Sequence, residues 1–180
     1  MPRIALIHAV AVAIPPVHDA FRQLWPDAEC IDILDTSLSR DREREGRLTE
    51  KMVGRFLLLA RYAEDNGADG ILFTCSAFGE AIEQAAAVAR VPVLKPNEAM
   101  FEAALAAGER LGMLATFEPS VAGMEDEFRD MAGAAKSKAA LSSFCVANAM
   151  KALQAGMQRP FCIRFTVYGW TPSLSANGKS

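Results

Sequence analysis

Three short segments of this chain repeat one pattern. Ile4-Ala5-Leu6-Ile7-His8-Ala9, Ile71-Leu72-Phe73-Thr74-Cys75-Ser76 and Leu111-Gly112-Met113-Leu114-Ala115-Thr116 are each an apolar run that stops on small or polar residues. Apolar runs of this length, bounded by turn residues, read as strands buried on both faces, and such strands belong to parallel sheets. The stretches between them read as helices. One opens at Pro15-Pro16, where proline suits a first turn. A second strand is expected over Glu29 to Leu34, followed by a long helix from about Thr49 to Asn66. In that helix Thr49 is the N-cap, Val53, Phe56, Leu57, Ala60 and Ala63 form the core stripe, and Gly67 closes the end in a left-handed turn. Further helices are expected near Gly79 to Ala89 and Asn97 to Ala107, with a strand at Val91 to Leu94 between them and a break at Gly108. The polar run Ser39 to Gly46 reads as a solvated loop or cap. Alternation of this kind predicts an α/β fold, with mainly parallel sheets and helices on both faces. Open α/β sheets bind ligands outside the carboxyl ends of their strands, so the ends of the three runs are expected to line one crevice.

The middle run delivers a thiol to that position. Cys75 follows Ile71-Leu72-Phe73 where a helix is about to start, and backbone N–H groups at a helix start favour an anion, whether a thiolate or a bound carboxylate. A cysteine at a strand end is also common packing, and position alone does not separate the two. Thr74 and Ser76 flank the thiol and are candidates to donate to substrate oxygens, though small hydroxyl residues also suit a tight turn. Thr116 and Ser120 have the same standing beside the helix that begins near Pro119, where Ser120 also fits an ordinary cap. His8 ends the first run as a donor, a proton carrier or a satisfied structural histidine. Asn97 sits beside Lys95, either near the ligand or simply shaping a connection.

Composition removes several function classes. Cys30, Cys75, Cys145 and Cys162 form no Cys-x-x-Cys pair, which leaves no basis for a zinc knuckle or a redox pair and makes reduced thiols the expectation. With only His8 and His18, no metal site is expected, and no Gly-x-Gly-x-x-Gly or Walker A loop suggests a nucleotide cofactor. A net charge of −3 with scattered basic residues argues against nucleic acid as a partner. No run of about 18 apolar residues spans a membrane. The start Met1-Pro2-Arg3-Ile4 leads straight into a strand rather than a signal peptide, so a cytoplasmic location is expected. A cysteine hydrolase has little support, because neither histidine shows an orienting partner in the sequence.

The block Gly70-Ile71-Leu72-Phe73-Thr74-Cys75-Ser76-Ala77-Phe78-Gly79, with Val91-Pro92-Val93-Leu94-Lys95-Pro96-Asn97-Glu98-Ala99-Met100 after it, resembles the aspartate/glutamate/hydantoin racemase superfamily. Arg110-Leu111-Gly112-Met113-Leu114-Ala115-Thr116-Phe117-Glu118-Pro119-Ser120-Val121 is similar to that family's second-half strand and turn. The resemblance covers roughly residues 3 to 131. It implies two pseudo-symmetric Rossmann-like lobes facing a cleft, with the chain crossing near Lys95-Pro96-Asn97. It also implies a cofactor-independent isomerase of the amino-acid racemase type, acting on a small carboxylate or amino acid, commonly as a homodimer. Cys75 matches the first catalytic cysteine, an acid/base at the substrate's α-carbon, and Thr116 and Ser120 fall where hydroxyl residues hold the substrate carboxylate. The family's second cysteine, in a late Leu-Gly-Cys-Thr-like segment, has no match here. Cys162 precedes an apolar run, whereas the family's cysteine follows one, so the role does not transfer. The alternatives are a one-base relative, such as a decarboxylase or cis/trans isomerase, and a catalytically silent carboxylate-binding homologue.

The resulting layout is a first lobe over residues 1–95 carrying Cys75, a second lobe over 96–156, and a tail over 157–180 that leaves the second lobe truncated or altered. All 22 acidic residues lie at or before Asp130. Residues 1–130 hold 13 basic side chains against those 22, a net of −9, while residues 131–180 hold six basic side chains and no acidic one. Ala147 to Gly156 still reads as a helix of the family type, and the resemblance stops beyond it. The hypothesis that accounts for this is a reading-frame slip near Gly156: Met157-Gln158-Arg159-Pro160 can be back-translated as ATG-CAG-CGA-CC, which with a preceding G reads Asp-Ala-Ala-Thr. The rival reading is a genuine tail with Phe161 to Tyr168 as an alternating strand.

Overall fold

The computed structural model of the chain describes residues 1–155. It is an α/β fold of parallel strands. β1 (Arg3–His8), β2 (Glu29–Leu34), β3 (Gly70–Phe73) and β4 (Val93–Leu94) form one sheet in the order β2-β1-β3-β4, and β5 (Arg110–Ala115) pairs with β6 (Ala140–Cys145) in a second. Every pairing is parallel, with Ile7 in register with Ile33 on one side and Phe73 on the other. The connecting helices are α1 (Ile14–Leu24), α2 (Ser37–Glu45), α3 (Glu50–Asp65), α4 (Gly79–Val88), α5 (Glu98–Ala107) and α6 (Val121–Ala134), with α7 (Ala149–Gln154) after β6. None of the described helices is long and apolar enough to cross a membrane.

Local chemistry explains most of these boundaries. Proline occupies the first turn of α1. The Thr49 side chain accepts from the Met52 N–H at the start of α3, and Gly67, at φ +74°, takes the left-handed turn that stops it. Phe56, Ala60 and Ala63 of the expected stripe are buried, with Val53 and Leu57 packed against them partly exposed. The strand ending at Leu94 is shorter than expected and starts at Val93.

The polar run read as a solvated loop is helical instead. α2 forms because tertiary contacts fix it: Leu38 is fully buried, Arg55 on α3 pairs with Asp41 at 2.8 Å and with Asp35, and Arg42 is drawn inward. The first core joins Ala5, Ile7, Ile71 and Phe73 to Phe56, Ala60, Phe78 and Ile82. A second core places Phe101, Met124 and Phe128 over Leu111 and Met113. The opposite face of the β5–β6 sheet exposes Leu114 and Phe144 among the described residues.

Candidate active site

Hydrogen bonds tie β1 to β2 and to the segment after β3, and join the turns that follow β3 and β5. His8 closes β1 and is fully buried. Its Nε2 lies 3.0 Å from Asp32 Oδ1 on β2, and its Nδ1 lies 2.8 Å from Thr74 Oγ1 after β3. Thr74 Oγ1 is also 3.3 Å from the Ile7 carbonyl oxygen. His18 on α1 reaches the same carboxylate, its Nε2 lying 2.9 Å from both Asp32 oxygens. Burial opposes the charge on Asp32, but hydrogen bonds from His18 and then His8 outweigh it and hold the carboxyl below its ordinary value. The expectation that neither histidine has an orienting partner is therefore corrected, since Asp32 orients both. The nitrogens of His8 are occupied by Asp32 and Thr74, so it does not form the cysteine–histidine pair of a hydrolase with Cys75.

Cys75 follows β3 in an extended conformation and begins a single 3-10 turn, Ser76–Phe78, that leads into α4. It packs against the first core yet stays partly exposed, as do Thr74 and Ser76. Burial pushes its thiol up, while the Ala77 backbone N–H and the Arg42 guanidinium pull it back toward ionisation.

Arg42, like Asp32, is a residue that sequence reasoning missed. From α2 its Nε donates to the Ala77 carbonyl at 3.3 Å and its Nη2 to the Pro119 carbonyl at 3.1 Å. Ala77 belongs to the turn after β3 and Pro119 to the turn after β5, so one guanidinium spans the turns of both sheets. Its Nη1 is buried with no hydrogen-bond partner among the described residues. Burial disfavours the cation and Cys75 favours it. One sequence signal was available: Arg42 lies four residues after Leu38, on the same helical face as that buried residue.

The other candidates divide by what their polar atoms already do. Thr116 is partly exposed at the end of β5. Ser120 is buried, and its hydroxyl donates back to the Phe117 carbonyl at 2.7 Å. Asn97 is buried and donates to Glu127 Oε2 on α6 at 3.0 Å, while Lys95 Nζ lies 3.3 Å from Glu127 Oε1, near enough to pair though off hydrogen-bond angle. The crossing between the sheets is thus pinned to α6. Cys145, in register with Ala115, is pushed up by its partial burial and then by Glu118, and Cys30 by burial and Asp32. Among the described thiols Cys75 alone has a cation acting on it. Cys162 lies outside the described residues. A groove of about 500 Å³ between α3 and α4 is lined by Val53, Leu57 and Gln84 among others, and Cys75 is not part of its wall.

The family model described as Asp/Glu/Hydantoin racemase matches residues 11–159. The chain belongs to this family. Solved structures with the same fold include glutamate racemase from Aquifex pyrophilus, at TM-score 0.64 and 18% identity over 88% of this chain and 61% of that one. Allantoin racemase from Klebsiella pneumoniae follows at 0.56 and 14%, over 87% of this chain and 68% of that one. Arylmalonate decarboxylase is similar at 0.54 and 12%, over 87% of this chain and 72% of that one. The chain therefore spans about three fifths of the length of the glutamate racemase. No curated protein matches it.

Proposed function

We propose that the chain is a cofactor-independent, racemase-like isomerase in which Cys75 moves a proton at the α-carbon of a small carboxylate. Removing a proton beside a carboxylate is difficult because the carbanion is poorly stabilised, so such a site needs a placed base and donors around the carboxylate. Cys75 supplies the base. Desolvation raises its thiol, so the thiolate is the more basic once formed, and the Ala77 N–H and Arg42 supply the positive potential that lets it form. The observation that carries this reading is the position of Arg42, which bonds the turns after β3 and β5 and acts as a cation on Cys75. A substrate carboxylate binds under that cation, with the hydroxyls of Ser76 and Thr116 as donors.

The test is proton NMR in deuterium oxide with a panel of amino acids and substituted malonates. Exchange of an α-proton that disappears in Cys75→Ala is the expected result. No exchange and no consumption of any panel member, or full activity in Cys75→Ala, refutes the reading. A one-base decarboxylase is the second reading, favoured because only one described thiol has a cation acting on it; consumption of a malonate without α-proton exchange of any amino acid would select it.

A further inference from the structure

Gly54 stands where the chain's own packing does not ask for a glycine. Glycine weakens a helix interior relative to alanine, and a Cβ at this position would meet nothing within 4 Å. Gly54 lies inside α3, and the helical repeat places it on one outward stripe with Lys51, Leu58, Tyr62 and Asp65. The inner face of the same helix already carries Met52, Phe56, Ala60 and Ala63 into the first core. On the outer stripe Leu58 is 71% exposed and Tyr62 58% exposed. Beside Gly54 runs the groove between α3 and α4, whose wall includes Val53 and Leu57 together with Glu50 and Glu80. A single apolar side chain on a surface is ordinary, but two of them one turn apart, beside a glycine and an apolar groove, form a docking face.

The order of the stripe says what docks there, because it is self-complementary about Leu58. Gly54 lies four residues before Leu58 and Tyr62 four after it, while Lys51 lies seven before and Asp65 seven after. We propose that this face of α3 is the interface of a homodimer, in which α3 of two copies packs antiparallel about a two-fold axis at Leu58. Leu58 then meets the partner's Leu58, Tyr62 stands level with the partner's Gly54, and Lys51 with the partner's Asp65. With no side chain on Gly54, the incoming tyrosine ring crosses the seam into the groove, where Val53 and Leu57 meet the ring and Glu50 and Glu80 offer acceptors to its hydroxyl. Among the described residues Asp65 is reached by Arg61 at 3.8 Å and Arg90 at 3.4 Å, both mostly exposed, which leaves the carboxylate open to a further cation. A parallel pairing would set lysine against lysine and tyrosine against tyrosine, and an unrelated partner gives no reason for the order to mirror itself. The interface lies on the outer face of α3 and is independent of the reaction proposed for Cys75.

Sedimentation velocity of the full chain, over a dilution series reaching about 0.1 mM, reads the association. A dimer that dissociates on dilution is expected, since a contact centred on one helix pair lies at the small end of specific interfaces. Leu58→Glu sets two carboxylates against each other on the axis and should weaken association about tenfold or more. Gly54→Leu blocks the tyrosine ring and should weaken it too. Both variants should keep the wild-type circular dichroism, because neither position belongs to the buried core. Phe144→Glu, on the exposed face of the β5–β6 sheet, should leave association unchanged. Carbodiimide coupling joins a lysine amine to a carboxylate only when the two touch, and in the dimer fraction it should give a peptide linked through Lys51 and Asp65. Within one copy these residues stand about 21 Å apart along the helix axis, so that product requires two copies. A wild type that is monomeric throughout, a dimer undiminished in folded Leu58→Glu or Gly54→Leu, or a dimer that Phe144→Glu abolishes overturns the proposal. A dimer lost in Leu58→Glu but giving no Lys51–Asp65 product overturns the antiparallel order. If Leu58→Glu does not fold, Gly54→Leu and the cross-link decide.

Discussion

Replacing Arg42 by methionine keeps an unbranched side chain on α2 but deletes the charge, and the structure gives its consequences opposite weights. Two hydrogen bonds from a charged donor, to the Ala77 and Pro119 carbonyls, are lost. Bonds of this kind contribute about 1.5–3 kcal/mol each when well buried. Arg42 is only half-buried and its cation is already disfavoured by desolvation, so removing it recovers part of that cost. The expected net loss is about 1–2 kcal/mol, which for a chain of this length lowers Tm by about 2–8 °C. The thiol responds in one direction only. Without the guanidinium Cys75 ionises less readily, so its alkylation by iodoacetamide at neutral pH slows and the pH–rate curve moves to higher pH. Peptide mass spectrometry isolates Cys75 from the other cysteines. Arg42→Lys should fall between the two, and Arg44→Met, which changes an exposed arginine on the same helix, should leave the curve in place. A lowered Tm with a Cys75 curve that superimposes on wild type would refute the electrostatic argument and reduce Arg42 to a strap.

Phe56→Ala should cost about 3–5 kcal/mol in urea unfolding, because Phe56 is fully buried with ring centroids 5.0 Å from Phe73 and 4.8 Å from Phe78, the last residue of the Cys75 turn; a loss below about 1 kcal/mol would mean that core is not packed as described. The carboxyl of Asp32 is lower in the folded chain than its ordinary 3.8, so it contributes stability above that pH which is lost as pH falls through the folded value. Asp32→Asn should therefore be less stable than wild type at pH 7, with the gap closing on acidification. Asp35 and Glu64 are lowered too, so the readout is the difference between the two melting curves, and a gap that does not change with pH would contradict the assignment. The tail beyond Gly156 makes a prediction about nucleic acid rather than structure: DNA sequencing should find an alternative frame that opens on Asp-Ala-Ala-Thr and runs on without an early stop. A stop codon close behind would discard the frame slip. The family match ends at residue 159, close to the place where the slip is inferred.

What the sequence revealed, and what it hid, follows from where the deciding energy lies. β1, β2 and α3 were legible because their signals are local: apolar runs, a threonine cap and a glycine at positive φ each act within one turn of chain. α2 and β6 were not. Ala-Leu-Ser-Ser-Phe-Cys has no sustained apolar run and becomes a strand by pairing with β5, while α2 is a polar segment whose fold depends on Arg55 from a neighbouring helix. The same division runs through the site. Cys75 stood out as a candidate because strand-end position and a family block both sit in contiguous sequence. Arg42 and Asp32 were missed because each acquires its role from residues far along the chain: Arg42 from carbonyls 35 and 77 residues away, Asp32 from histidines 24 and 14 residues away. Periodicity reports which face of an element is buried, and it is silent about a charge that is buried for the sake of another element's turn. A polar residue one helical repeat from a buried leucine is therefore worth testing as an inward-facing group before its run is assigned to solvent.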